Sequence, residues 1–252
     1  MIRILGLGLA LLAVAARADA VEIKVLSAGA MKTLVEELGR EFTRETGHTL
    51  ALTSGTVGQL RDRIVAGEAA DVVVMSDTAI DQLIAQGHLA AGSRVDIART
   101  GIGVAVREGA PKPDISTPEA FKQALLAAKS IAYVDPASGA TSGIYFASVL
   151  ERLGIAEAVK PKTVLRRGGG FVAELVARGE AELAVHQISE ILPVKGAVLV
   201  GPLPRELQKV TVYSAALPAR GAASEPAKAF IQFMARPAFK ARLAAAGLDY
   251  RD

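Results

Sequence analysis

Three short loops of small and hydroxylated residues carry most of the chemistry this chain can offer: Ser27-Ala28-Gly29-Ala30, Ser54-Gly55-Thr56-Val57-Gly58 and Ser138-Gly139-Ala140-Thr141-Ser142-Gly143. Each falls between an apolar, strand-like run and a segment of helical periodicity. At such a junction the first backbone N–H groups of the helix lack an intrahelical partner, and the helix dipole adds partial positive charge. The junction can therefore hold an anion. Ser and Thr are also preferred helix caps, so any one loop by itself reads equally well as a cap. Several of them, divided between two halves of one chain, point to a shared site at the edge of α/β sheets where ligands bind. Ser27, Gly29, Ser54, Thr56, Thr141 and Ser142 are the candidates from these loops.

A fourth group, Arg166-Arg167-Gly168-Gly169-Gly170, combines two guanidinium groups with a run of glycine amides. A bidentate arginine suits a carboxylate or phosphate, and a run of N–H groups suits any anion. The plainer reading is a flexible turn with two solvated arginines. Gly169 is placed near the ligand and Arg166 is the candidate for direct contact.

Catalysis has less support. The three histidines, His48, His88 and His186, stand at no metal-ligand spacing, and without cysteine there is neither a thiolate ligand nor a thiol nucleophile. His186 follows the strand-like Glu182–Val185 and can meet a cleft, but is read first as a hydrogen-bonded, partly buried residue. No Gly-x-Ser-x-Gly elbow occurs, and Ser54–Gly58 lacks the Gly-Lys-Ser/Thr ending of a P-loop. Asp71 and Asp77 flank a strand; Asp77 is read as a helix-start residue rather than a cation ligand. No catalytic residue, metal or cofactor is expected.

These loops need a two-sided scaffold, and the rest of the chain supplies its pattern. Met1 and Arg3 lead into the apolar run Ile4–Ala16, and Ala18-Asp19-Ala20 has the small-x-small form of a cleavage site, so residues 1–20 read as a secretory signal peptide. That run falls short of the roughly 20 residues a spanning helix needs. The absence of cysteine also excludes a lipid-modified N-terminal cysteine and disulfides, so a free periplasmic protein is expected. A net charge of +3 with no Lys/Arg block, and only 4% aromatic residues, argues against nucleic acid as a partner.

Apolar runs alternate with helical periodicity, which predicts an α/β protein of mostly parallel sheets flanked by helices. Met31, Leu34, Val35, Leu38 and Phe42 line one helix face, and Asp71-Val72-Val73-Val74-Met75 suits a strand covered on both sides. Breaks near Arg99–Gly103 and at Pro202 and Pro204 predict two crossings between two lobes. Lobe 1 is expected over 21–100 and 205–252, and lobe 2 over 101–204.

In this order the motifs resemble the periplasmic molybdate-binding proteins of ABC transporters, a branch of the two-lobed solute-binding superfamily. The resemblance runs over essentially the whole chain after the signal. It rests on the opening strand and small-residue turn, Gln59-Leu60-Arg61-Asp62-Arg63-Ile64 with Ala66-Gly67, Ala70-Asp71-Val72-Val73-Val74, the helix start Ser142-Gly143-Ile144-Tyr145, and Ala227-Lys228-Ala229-Phe230. It implies a receptor without catalysis whose lobes close on an oxyanion and present it to a membrane permease. Two serine hydroxyls, backbone amides of the second lobe and a tyrosine hydroxyl hold the oxyanion in that family. Aligned here, the first serine falls at Ala30, the second near Thr56 or Val57, the tyrosine at Gln187, and the second-lobe amides at Ser142 and Gly169. Each unmet hydrogen bond in a dry anion site costs about 1–3 kcal/mol. Either Ser27, Thr141 and Gln187 compensate, or the ligand is another anion, such as a small carboxylate held by Gln187, the hydroxyl-bearing loops and Arg166.

The expected protein is thus a monomeric periplasmic receptor of a small anion, molybdate-like or carboxylate, serving an inner-membrane permease. The rival from another class is an exported hydrolase using a loop serine with His186. A transcription regulator's sensing domain shares the architecture, but the signal and the lack of a DNA-binding segment speak against it.

Overall fold

A computed structural model describes residues 20–167, 170–220 and 224–249. The signal-peptide reading, save for Ala20, and the candidate Gly169 lie outside the described residues. Ten strands form two five-stranded sheets. The first contains β1 (Glu22–Ala28), β2 (Thr49–Gly55), β3 (Val72–Ser76), β4 (Val95–Thr100) and β10 (Thr211–Ala216), in the order β2-β1-β3-β10-β4. The second contains β5 (Ile102–Arg107), β6 (Ile131–Val134), β7 (Thr163–Arg166), β8 (Leu183–Gln187) and β9 (Ala197–Pro202), in the order β7-β6-β8-β5-β9.

β1 runs parallel to β2 and β3, and only β10 runs against its neighbours; in the second sheet only β5 does so. Each sheet is therefore mixed, with four strands pointing one way and one reversed strand inserted. The reversed strands are the ones that follow a crossing between the sheets. The chain passes from Thr100 at the end of β4 to Ile102 at the start of β5, and returns between Pro202 and Thr211. Gln208 ties the two crossings together: its Oε1 accepts from the Ile102 N–H and its Nε2 donates to the Ile102 carbonyl, both at 2.8 Å.

Helices cover the sheets because their apolar faces have nowhere else to go. Around the first sheet lie α1 (Lys32–Thr46), α2 (Val57–Val65) and α3 (Asp77–Ala85), and around the second α4 (Pro118–Ala127), α5 (Thr141–Arg152), α6 (Ala156–Val159), α7 (Ala173–Ala177) and α8 (Ile188–Ile191). The last helices, α9 (Glu225–Met234) and α10 (Lys240–Ala245), return to the first sheet's side. α1 buries Leu34, Val35, Leu38 and Phe42, the predicted face, and stops at Gly47, whose φ of 81° is the left-handed conformation a helix end favours. The Phe42 ring sits 5.2 Å from Phe230 and 5.3 Å from Phe233 of α9, closing the first core. Phe121, Phe146 and Tyr133 do the same for the second. Burying each such side chain contributes roughly 1.5–3 kcal/mol.

β4 is the strand the periodicity misses. Asp96 and Arg99 interrupt its apolar residues, and its register against β10 slips between Tyr213 and Ser214, so no clean alternation exists to be read.

Candidate functional site

The carboxyl ends of β1, β2, β6 and β8 face one another across the gap between the sheets, and a cavity of about 120 Å³ lies between them. From the first sheet's side it is walled by Gly29, Ala30, Lys32, Ser54, Thr56, Val57 and Tyr213. From the second come Ala140, Thr141, Ser142, Gly170, Phe171, Glu174, His186, Gln187 and Glu190.

The three loops differ in how they end their helices. At α2 Thr56 accepts from the Gln59 N–H while Gln59 accepts from the Thr56 N–H, a reciprocal capping box that satisfies this helix start from within. For this loop the capping reading holds. α5 begins after Ala140 and the short turn before α1 begins after Ala28, neither with a side-chain cap. Their first N–H groups are left for whatever occupies the cavity. The site is thus made of two uncapped helix starts, one on each side, and one capped start that brings Ser54, Thr56 and Val57 to the rim.

Of the residues singled out in the sequence, Gly29, Ala30, Ser54, Thr56, Val57, Thr141, Ser142 and Gln187 are brought together in this wall. Ser27 is not in it: the side chain is fully buried and its hydroxyl donates to the Ala28 carbonyl at 3.2 Å. The alternation of β1 turns Ser27 away from the cavity. Arg166 stands behind the wall; its Nη2 meets Glu174 Oε2 at 3.1 Å and packs against Gly170. It acts on the cavity through Glu174 and through its field. Asp77 accepts the Thr78 N–H at 2.7 Å in the first turn of α3, and Asp71 accepts the Lys24 N–H at 2.8 Å. Among the described residues no cluster of His, Asp and Glu is assembled to hold a metal.

Tyr213 and Glu190 are two of the wall residues that escaped the sequence reading. Tyr213, from β10, places its hydroxyl 3.4 Å from Gln187 Nε2. Gln187 stands where the resemblance put a tyrosine, so a phenol reaches the neighbourhood of that position from the opposite sheet. Burial, then the nearby Glu190, raises the Tyr213 pKa, which keeps the hydroxyl protonated and able to donate.

The other is Glu190, buried at 8% exposure in α8. Its Oε2 lies 3.2 Å from His186 Nε2, and His186 is itself 2% exposed. Although the spacing is that of an ion pair, burial acts against both charges. It pushes the Glu190 carboxyl up to about 8 and the His186 imidazole down to about 3, the latter helped by the Arg166 guanidinium. Burial therefore favours the uncharged form of each group, so at neutral pH the contact joins a carboxyl group and a neutral imidazole rather than two charges. The signal in the sequence was a lone acid inside the apolar run Ile188-Ser189-Glu190-Ile191-Leu192.

Glu190 also reaches across to the first sheet's side. A Cβ on Gly29 would fall 2.6 Å from Glu190 Oε1, so the carboxyl is seated where glycine leaves room. The hydrolase arrangement is not formed. His186 Nε2 is taken by Glu190 and Nδ1 has no hydrogen-bond partner, so no serine hydroxyl is engaged with the ring.

Two mixed sheets with a walled cavity at their facing carboxyl edges define a two-lobed periplasmic binding protein. The model of the bacterial extracellular solute-binding protein family matches residues 23–249, and the chain belongs to that family. The chain is 37% identical over 219 residues to the aconitate isomerase of a Pseudomonas species, covering 84% of this chain and 82% of that protein. It is 27% identical over 203 residues to the molybdate-binding protein ModA of Rhodobacter capsulatus, covering 80% and 78%. Among solved structures, the periplasmic molybdate-binding protein of Azotobacter vinelandii superposes with a TM-score of 0.76 at 24% identity, over 91% of this chain and all of that one. A periplasmic thiamin-binding protein does so with a TM-score of 0.69 at 18% identity, over 92% and 84%. Among the described residues no helix is long and apolar enough to cross a membrane.

Proposed function

We propose that this protein is the periplasmic receptor of an ABC transporter, acting as a monomer, and that it captures a small polycarboxylate between its lobes for delivery to a membrane permease. The observation that carries the ligand class is the seat of Glu190 against Gly29. In a molybdate binder this junction offers a serine hydroxyl to a tetrahedral oxyanion. Here Ala30 offers none, and a carboxyl group from the other lobe lies against the adjoining glycine. A protonated Glu190, the Tyr213 hydroxyl, the Gln187 amide and the hydroxyls of Thr141 and Ser142 supply spread-out neutral donors. Those suit planar carboxylates placed along a carbon chain better than one compact tetrahedral ion. The name of the Pseudomonas relative, an enzyme of the tricarboxylate aconitate, supports the same class.

The test is calorimetry on purified protein with citrate, cis- and trans-aconitate, malate, molybdate, tungstate and sulfate. The reading expects a carboxylate to bind at least tenfold (about 1.4 kcal/mol) tighter than any inorganic oxyanion. Tighter binding of molybdate or tungstate overturns it.

A second reading is favoured by the His186–Glu190 contact together with that relative: the site also isomerises an unsaturated tricarboxylate. A proton donor and acceptor 3.2 Å apart in one cavity wall are the equipment for shifting a proton on a bound carbon acid. Proton NMR of cis-aconitate incubated with the protein decides it. Formation of the trans isomer, lost in Glu190→Gln, supports the enzyme; an unchanged spectrum under saturating ligand leaves the receptor alone.

A further inference from the structure

The lobes touch at the rim of the cavity, where Thr56 of the wall and residues behind it meet the opposite turn. The Gly58 N–H at the start of α2 donates to the Gly139 carbonyl at 3.1 Å, and the Thr56 hydroxyl donates to the Ser138 carbonyl at 2.5 Å. Neither Gly58, Ser138 nor Gly139 lines the cavity. The two glycines meet backbone to backbone. A Cβ on Gly58 would lie 2.7 Å from the Gly139 Cα and 3.0 Å from the Ser138 oxygen, and a Cβ on Gly139 would lie 2.6 Å from the Gly58 Cα. No flexible side chain is there to yield, so any larger residue must part the turns. Thr56 serves twice, accepting from Gln59 within its own lobe and donating to Ser138 across the gap.

We infer that Thr56, Gly58, Ser138 and Gly139 form an interlobe clasp at the rim of the cavity that sets the open–closed balance of this receptor through lobe-to-lobe bonds that need no ligand. Its two hydrogen bonds exist only while the lobes are together, so they favour closure whatever the cavity holds. Apparent affinity follows the fraction of molecules that are binding-competent, so the clasp raises affinity by favouring closure. It also explains glycine at 58. That residue lies inside a helix, where alanine is the better helix former, and its φ is not positive. Local structure does not require glycine there; the opposite lobe does.

Gly58→Ala separates the clasp from folding, because the change suits α2 and adds bulk only across the gap. The chain has no cysteine, so spin labels can be placed at two exposed positions, Val65→Cys on α2 and Ile144→Cys on α5. Electron–electron distance measurements on the labelled, ligand-free protein should show a short-distance population that falls about tenfold relative to the long one in Gly58→Ala, with no loss of melting temperature. Thr56→Ser, which keeps the hydroxyl, should retain the short population, and Thr56→Val should lose most of it. Identical distance distributions in the parent and Gly58→Ala proteins overturn the inference, as does a parent protein with no short-distance population. Because the readout uses no ligand, failure of the clasp and failure of the carboxylate reading are separate results.

Discussion

His186 Nε2 and Glu190 Oε2 are 3.2 Å apart and almost wholly removed from solvent, one at the end of β8 and the other on the short α8 that follows it. The strand ends at the cavity and the helix turns the next side chains back toward it. The pair therefore forms part of the wall, and because burial disfavours both charges, it holds one proton near neutral pH.

That proton count makes the stability profile specific. Between pH about 4.5 and about 6.5 the unfolded chain carries one proton on His186 and the folded protein carries one on Glu190, so this pair leaves stability flat. As pH rises further the unfolded chain loses its proton while the folded protein keeps that of Glu190, so stability falls until about pH 8. As pH drops below about 4.5 the unfolded chain holds two protons against one, so stability falls again down to about pH 3. Urea melts across this range should show the plateau and both limbs. Glu190→Gln should lose the alkaline limb, and its plateau should give way to a fall in stability from about pH 6.5 down to about pH 3, because only His186 is left to titrate; an alkaline limb of equal slope in that variant contradicts the assignment.

Anion binding should follow the same carboxyl. Below about pH 8 Glu190 is a neutral donor, and above it a carboxylate adjoining a bound anion. Affinity for the best carboxylate in the calorimetric screen should drop at least several-fold between pH 7 and 9 (roughly 1 kcal/mol or more). In Glu190→Gln the affinity should be level over that interval.

Gly29 and Glu190 should behave as a coupled pair. Gly29→Ala places a methyl group 2.6 Å from Glu190 Oε1 and must displace the carboxyl, so ligand affinity falls. With Glu190→Ala in place the same alanine is left with only an ordinary contact to the Gly55 carbonyl oxygen at 4.0 Å. The double-mutant cycle should return a coupling of about 1–3 kcal/mol in binding, and additivity would refute the contact.

Tyr213→Phe tests the phenol supplied from the opposite sheet. Its hydrogen bond to Gln187 is long, at 3.4 Å, so removing it should change the melting temperature little. Ligand affinity should fall by about 1–3 kcal/mol, the range for one unmet bond in a dry site. Full affinity in the variant would remove Tyr213 from the binding set.

In the first core, Phe42→Ala should cost about 3–5 kcal/mol in urea melts, because that ring packs on both Phe230 and Phe233. A loss under 1 kcal/mol would show that α9 does not depend on it.

How much of this could be read in advance follows from the range of each interaction. The buried face of α1 and the apolar β3 were visible because helix and strand periods repeat within a few residues. The loop residues Gly29, Ser54, Thr56, Thr141 and Ser142 were visible because small residues between a strand and a helix mark the ligand edge of a sheet. β4 was hidden by its charges and its slipped register. Ser27 was misleading because a serine at the start of a small-residue turn looks available until the strand's alternation turns it inward.

The sequence by itself determined two α/β lobes, their family and the three junctions that could meet an anion, since each depends on local patterns of polarity and on backbone groups present whatever the side chains. Tertiary structure alone decided which junctions stay uncapped, that Tyr213 approaches Gln187, that Glu190 lies against Gly29, and that Gly58 meets Gly139. These pairs are joined across the gap between separate sheets, and their energies depend on burial and on distances of a few ångströms. Neither quantity exists until the two lobes are brought face to face.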